Sequence, residues 1–262
     1  VSNDDSYVFF MTESLKEKVP LILAIETATR AGSVALVRGH EILSFASGDA
    51  SLSHSTNLIE IVEDSLKRAG ADLKEVTLFA AAVGPGSFTG LRIGLATVKS
   101  FAVCTGKSCV GVSTLAAIAH AAGGSERTVS LLPAGRGELF AQMFFVADGR
   151  VRELDRPEHL SPKTIQEKYG QVQPLLWAGA GAQLHAATLR EWAEAGDIPF
   201  SDSSTDHTGW TLAAPEAQLA ISIAALALNE YRNGKAVRPA ELQAVYVRAS
   251  DAEINEKWRL EK

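Results

Sequence analysis

The chain has 262 residues, enough to bury a sizeable core in one large domain or two smaller ones. A net charge of −6 argues against a protein that grips nucleic acid alone over a broad basic face. The two cysteines, Cys104 and Cys109, exclude a disulfide scaffold and a cysteine-based zinc site, and they fit a reducing, cytoplasmic setting.

Residues 1–19 read as a disordered leader, with Met11 a candidate start. Asp4, Asp5 and Glu13 stand where a secretory signal would be basic, and the alanine-rich run at 219–228 is too short to span a bilayer, so no membrane partner is expected. From Leu21 the pattern becomes regular. LILAIE is a continuous apolar run ending in a carboxylate, the pattern of a central strand whose end reaches a site. Strands at 33–37 and 41–47 follow, joined across Arg38-Gly39-His40 as a hairpin. Over 53–69, Leu58, Ile61, Val62 and Leu66 share one helical face, and Gly70 closes the helix. A strand at 78–83, a glycine-rich helix at 87–103, a strand at 108–112 and a helix at 113–122 complete the order β-β-β-α-β-α-β-α.

Gly123-Gly124-Ser125 divides this N-terminal lobe, 20–123, from a C-terminal lobe, 124–262. Strands are expected at 128–132, 138–145, 150–154 and 175–178. Helices are expected at 161–169 with Pro162 in the first turn, at 182–195, and at 215–233 with Gly234 after its end. Residues 245–247 form a candidate short strand. This half reads as a degraded echo of the first. Strands alternating with helices give an α/β protein with a mixed sheet in each lobe.

The most informative stretch is VGPGSFTGLRIG, from Val83 to Gly94. A glycine-rich turn from strand to helix aims backbone N–H groups outward, as anion sites require. Gly86, Gly90 and Gly94 also recur every four residues, which bares one helix face for close packing, beside the apolar bulk of Leu91, Leu95 and Val98. The turn lacks the Lys-Ser/Thr ending of a P-loop, so the packing reading is favoured over triphosphate binding. Glycine at 90 in place of alanine costs about 1 kcal/mol of helix stability, which favours a partner-facing role over packing within the lobe.

LAIETATRAGSVALV, SLSHSTNLIEIVEDSL, AVGPGSFTGLRIGLATVKSFA and VGVSTLAAIAH together closely resemble the TsaB (YeaZ) family. The resemblance is strong from Leu21 to about Ala122 and then fades. It implies a two-lobed actin-like (ribonuclease H-like) fold of the actin and sugar-kinase superfamily, with a mixed five-stranded-type sheet flanked by helices in each lobe. It also implies a non-catalytic subunit, a decayed relative of TsaD, the enzyme that transfers threonylcarbamoyl to the adenosine beside the tRNA anticodon. The implied partners are TsaD, bound through the N-terminal lobe helices, TsaE in a ternary complex, and tRNA indirectly. The same face would support a homodimer. On this reading the partner face comprises His54, Leu58, Ile61 and Val62 of the first helix, with Gly86, Gly90, Leu91, Arg92, Gly94, Leu95 and Val98 of the glycine helix.

The residues themselves offer little for chemistry. TsaD-like enzymes carry a metal through a His-x-x-x-His pair on the helix that here reads STLAAIAHAA, where His120 stands alone; one imidazole is not a metal site. HExxH and GxSxG are absent, so the M22 peptidase label once given to the family is not supported. Nucleotide binding is the weaker second reading, with Glu26, Thr27, Thr29, Gly84, Gly86 and Ser87 its candidates. Glu26 replaces the superfamily's Asp. Arg136-Gly137-Glu138 is similar to the family's Asp-Ala-Arg-x-Gly-Glu turn, but Pro133 stands at the Asp and Gly135 at the Arg. No cofactor is expected to be required. An independent phosphotransferase of the same superfamily is the alternative activity. Tyr246-Val247-Arg248 is similar to the family's closing Tyr-Leu-Arg.

Overall fold

The computed structural model describes residues 19–48, 54–202, 208–215 and 218–247. The expected leader and the segment after Val247, including Arg248, lie outside them.

The first sheet follows from its burial pattern. Strands β1 (Leu21–Glu26) and β4 (Leu78–Gly84) are buried along their whole length, as strands covered on both faces must be. They pair in parallel, and β5 (Ser108–Ser113) continues the parallel set. On the other side the hairpin β2 (Ser33–Arg38) and β3 (Glu41–Ser47) adds two antiparallel strands, giving the order β3-β2-β1-β4-β5. The two-residue period of a strand splits its side chains between two cores. Leu21, Leu23, Ile25, Phe79 and Ala81 face helices α1 (His54–Arg68) and α2 (Phe88–Thr105). Ile22, Ala24, Leu78 and Ala80 face the interior layer between the sheets.

Helix α2 starts where Ser87 accepts from the Gly90 N–H at 3.2 Å and stops at Gly106, which is left-handed with φ +67°. Helix α3 (Thr114–Ala122) follows β5 with Ser113 as its cap.

The second sheet is larger than the five-stranded expectation. It has seven strands in the order β11-β12-β10-β6-β7-β8, with β9 beside β7. The long hairpin β6 (Ser125–Gly135) and β7 (Glu138–Ala147) forms its spine. Strands β8 (Arg150–Glu153) and β10 (Leu175–Ala178) were expected. Strands β9 (Glu158–Leu160), β11 (Phe200–Ser201) and β12 (Trp210–Leu212) were not, being only two or three residues long and too short to carry an alternation. Helix α4 (Pro162–Tyr169) was expected. The single helix expected at 182–195 is two, α5 (Ala180–Leu184) and α6 (Ala186–Ala195), broken at His185. Trp177 and Trp210 meet edge to face, with ring centroids 5.0 Å apart, in the core beneath these helices.

Helices α3 and α7 (Leu219–Arg232) lie between the two sheets. Leu115 and Ile118 of α3 and Ile223 and Ala227 of α7 share one cluster with Ile22 and Val110 of the first sheet and Leu132 and Phe144 of the second. The chain then returns to the first lobe. Cys109 and Val237 exchange backbone hydrogen bonds, Leu242 joins the same core cluster as Phe79, and the Val245 N–H donates to the Val83 carbonyl at 2.7 Å. Residues 219–247 therefore complete the first lobe rather than extending the second. Residues 245–247 are not a strand, although Val245 makes that one strand-like bond.

Candidate functional site

The end of β1 and the glycine turn meet at one place, and the meeting is close. The Glu26 carboxylate is almost fully buried and folds back on its own turn: one oxygen accepts from the Thr29 N–H and the other from the Thr29 hydroxyl, each at 2.7 Å. The Thr27 hydroxyl, also buried, donates to the Gly90 carbonyl at 2.8 Å. The Ala28 carbonyl accepts from the Ser87 N–H at 2.8 Å. The turn after β1 is thus stitched to the first turn of α2.

This contact explains the glycines. A Cβ at position 94 would run into the Thr27 hydroxyl, and one at position 86 would lie 2.6 Å from the Ala28 carbonyl oxygen. A Cβ at position 84, where φ is +121°, would strike the Val245 carbonyl of the returning C-terminal segment. Each of these glycines admits another part of the same chain.

The structure therefore brings the six anion-site candidates together but engages them internally. Thr27 and the Ser87 N–H bond to α2 and to Ala28, Glu26 and Thr29 bond to each other, and Gly84 and Gly86 are closed over by Val245 and Ala28. Sequence alone shows a turn of N–H groups; what sits in front of them is a tertiary fact.

Most of the expected partner face is likewise turned into the lobe. Leu58, Val62, Leu91, Leu95 and Val98 are buried in the lobe's own core, and Gly90 and Gly94 are buried against the Thr27 turn. Gly86 and Ile61 are half-buried, and the side chain of His54 lies outside the described residues. Among the described side chains of the set, only Arg92 is exposed. Its guanidinium lies 3.8 Å from the centre of the Phe88 ring, whose other neighbour is Tyr246 at 5.0 Å. The outward stripe of α2 is Arg92, Ala96, Ser100 and Val103, and Ile59 is the apolar residue on the outer side of α1. Val103 is 68% exposed and Ile59 48%. Their signal in the sequence was an apolar residue out of phase with its helix's buried face.

His120 bonds through Nδ1 to the Ser222 hydroxyl at 3.0 Å in the layer between the sheets, and burial holds its pKa below the usual histidine value. No group of three histidine, cysteine or carboxylate side chains among the described residues is placed to hold a metal ion. The Gly135-Arg136-Gly137 turn is the tip of the β6–β7 hairpin, with Arg136 at φ +55° and Pro133 exposed. No helix among the described residues is long and apolar enough to cross a membrane.

Comparison with known proteins agrees with this architecture. The family described as TsaD, tRNA N6-adenosine threonylcarbamoyltransferase, matches residues 47–251. The tRNA threonylcarbamoyladenosine biosynthesis protein TsaB of Escherichia coli is 31% identical over 160 residues, covering 58% of this chain and 67% of that protein. The TsaB of Haemophilus influenzae is 33% identical over 102 residues, which is 38% of this chain and 42% of that protein. The solved structure of YeaZ from Pseudomonas aeruginosa superposes with a TM-score of 0.70 at 24% identity, covering 87% of this chain and 99% of that one. Together with the two-sheet α/β architecture, these matches show that the chain belongs to the TsaB (YeaZ) family of TsaD-related proteins.

Proposed function

We propose that this protein works in tRNA threonylcarbamoyladenosine biosynthesis as a binding subunit without chemistry of its own, holding a TsaD-type transferase in its active arrangement. The pathway is the one named for its relatives. The observation that carries the non-catalytic part is the Thr27–Gly90 hydrogen bond: the hydroxyl that the superfamily would turn toward a phosphate is committed to the chain's own helix. Glu26, with both oxygens on Thr29, supports the same reading.

On this reading the transferase docks on the outward stripes of α1 and α2, around Ile59, Arg92, Ala96 and Val103. Apolar residues flanked by charge on two adjacent helices suit a partner interface. A TsaE-type ATPase would join the pair, and tRNA would be reached through the transferase. Without the partner, the same stripes would support a homodimer.

Calorimetric titration with TsaD from the same source, beside an assay of Mg-ATP hydrolysis by this chain alone, tests the proposal. Saturable binding of TsaD with no hydrolysis of Mg-ATP is expected. Hydrolysis of Mg-ATP without TsaD binding would overturn it in favour of an independent phosphotransferase.

A further inference from the structure

Away from the glycine turn, the edge strands of the two sheets, β5 and β8, flank a polar cleft of about 540 Å³ that α7 and the start of α3 also line. Its lining includes Gly111 of β5, Arg150 and Glu153 of β8, and Asn229, Arg232 and Lys235 at the end of α7 and just beyond. Phe144 and Leu226, both buried, close its base.

The charges in this cleft are unevenly committed. Lys235 pairs with Glu230, another lining residue, at 2.8 Å. Arg232 only approaches His40, at 3.5 Å, and Arg150 makes no side-chain hydrogen bond or ion pair among the described residues. Asn229 spends its amide N–H on the Gly149 carbonyl, which ties α7 to the β7–β8 turn, and its amide oxygen has no partner among the described residues. The edge of β5 adds backbone groups. Cys109 exchanges both of its outward hydrogen bonds with Val237, and the strand's alternation gives Gly111 the same outward orientation one repeat further on.

Arg150, without a side-chain partner among the described residues, and Arg232, held only by its exposed contact with His40, together with Lys235 outnumber the carboxylates Glu153 and Glu230 of the lining, and the guanidinium fork suits phosphate oxygens. Glu153 would repel a bare phosphate, but it can accept from hydroxyl or amino groups, as can the Asn229 oxygen. The volume lies within the range of small-ligand sites. We propose that this cleft binds the phosphate ester of a nucleoside, with Arg150 and Arg232 on the phosphate and Glu153 and Asn229 on the sugar hydroxyls or the base edge. The site stands apart from α1 and α2 and does not depend on the partner reading above.

The full chain is titrated with AMP, with inorganic phosphate and with a short single-stranded oligoribonucleotide. The same titrations are made on Arg150→Ala/Arg232→Ala and on Arg190→Ala, a control whose guanidinium pairs with Asp202 outside the cleft lining. Thermal melts establish that each variant folds. Loss of the charge-assisted bonds should weaken AMP binding by roughly tenfold or more in the double variant and leave the control unchanged. Oligoribonucleotide binding with the same variant pattern, in the absence of AMP binding, would support the site with an RNA strand as the source of the phosphate. The proposal is overturned if neither nucleotide probe binds at millimolar concentration, if the double variant binds like the wild type, or if inorganic phosphate binds as well as AMP.

Discussion

The Thr27 hydroxyl donates to the Gly90 carbonyl across 63 residues of sequence, and the space it needs is the space a side chain at position 94 would fill. One hydrogen bond and one missing methyl group thus hold the end of β1 against α2. The helix keeps its glycines, despite their cost in helix propensity, because the turn after β1 sits in the groove they leave.

That relationship predicts a sign change in a double-mutant cycle. Gly94→Ala alone should destabilise the protein by about 1–3 kcal/mol through overpacking against Thr27. In a Thr27→Ala background the clash partner is gone, and Gly94→Ala should be neutral or stabilising by up to about 1 kcal/mol from helix propensity. Urea denaturation of the wild type, the two single variants and the double variant measures all four corners. Additive penalties would mean that the groove is not where Thr27 sits.

The same contact marks what local sequence pattern does not encode. The first lobe was legible nearly element by element because β1 and β4 are unbroken apolar runs and α1 carries an apolar stripe of helical period. The four-residue glycine spacing was legible as a groove, but periodicity cannot say what enters a groove. The same limit applies to α7, whose position in the chain suggested the second lobe. It packs against β1 and β2 because its apolar, alanine-rich surface is covered on both sides, a fact of tertiary placement. In the second lobe, Trp210 to Leu212 form a strand by pairing between β10 and β11, which no local pattern announced.

The two cysteines should differ sharply in reactivity. Cys104 is exposed near the end of α2, whereas burial pushes the Cys109 thiol up to about 11, with Lys99 only partly opposing it. A thiol reagent at pH 8 should therefore label the native protein once, at Cys104, and label Cys109 only in denaturant. Peptide mapping after labelling checks this. Prompt labelling of Cys109 in the native protein would show that β5 is not the packed edge described above.

His120 gives stability a defined pH dependence. Burial holds its folded-state pKa below the ordinary value near 6.5, so as pH falls the unfolded chain takes up the proton first. The stabilisation is fully present above about pH 6.5 and declines as pH falls toward the folded-state pKa. The midpoint of thermal unfolding should drop between pH 7 and pH 5, and the drop should be shallower in His120→Gln. Parallel curves for the two proteins would assign the acid sensitivity to other groups. Because Ser222 bonds to His120 from α7, the loss should appear first as loosening between α3 and α7.

The partner surface can be separated from the packing beneath it by choosing residues on the two sides of the same helices. Ile59 and Val103 are exposed, so Ile59→Glu and Val103→Glu should leave the melting temperature within a few degrees of wild type. Each should weaken the binding of a TsaD-type transferase, by about tenfold or more if the residue is a central apolar anchor. Leu58 and Val98 lie one face away and are buried, so Leu58→Ala or Val98→Ala should do the reverse, lowering stability by about 1–4 kcal/mol with little direct effect on binding by the protein that remains folded. Calorimetric binding and thermal melts on the same four variants distinguish the cases. If the buried pair controls binding and the exposed pair does not, the transferase docks elsewhere and these helices only build the lobe.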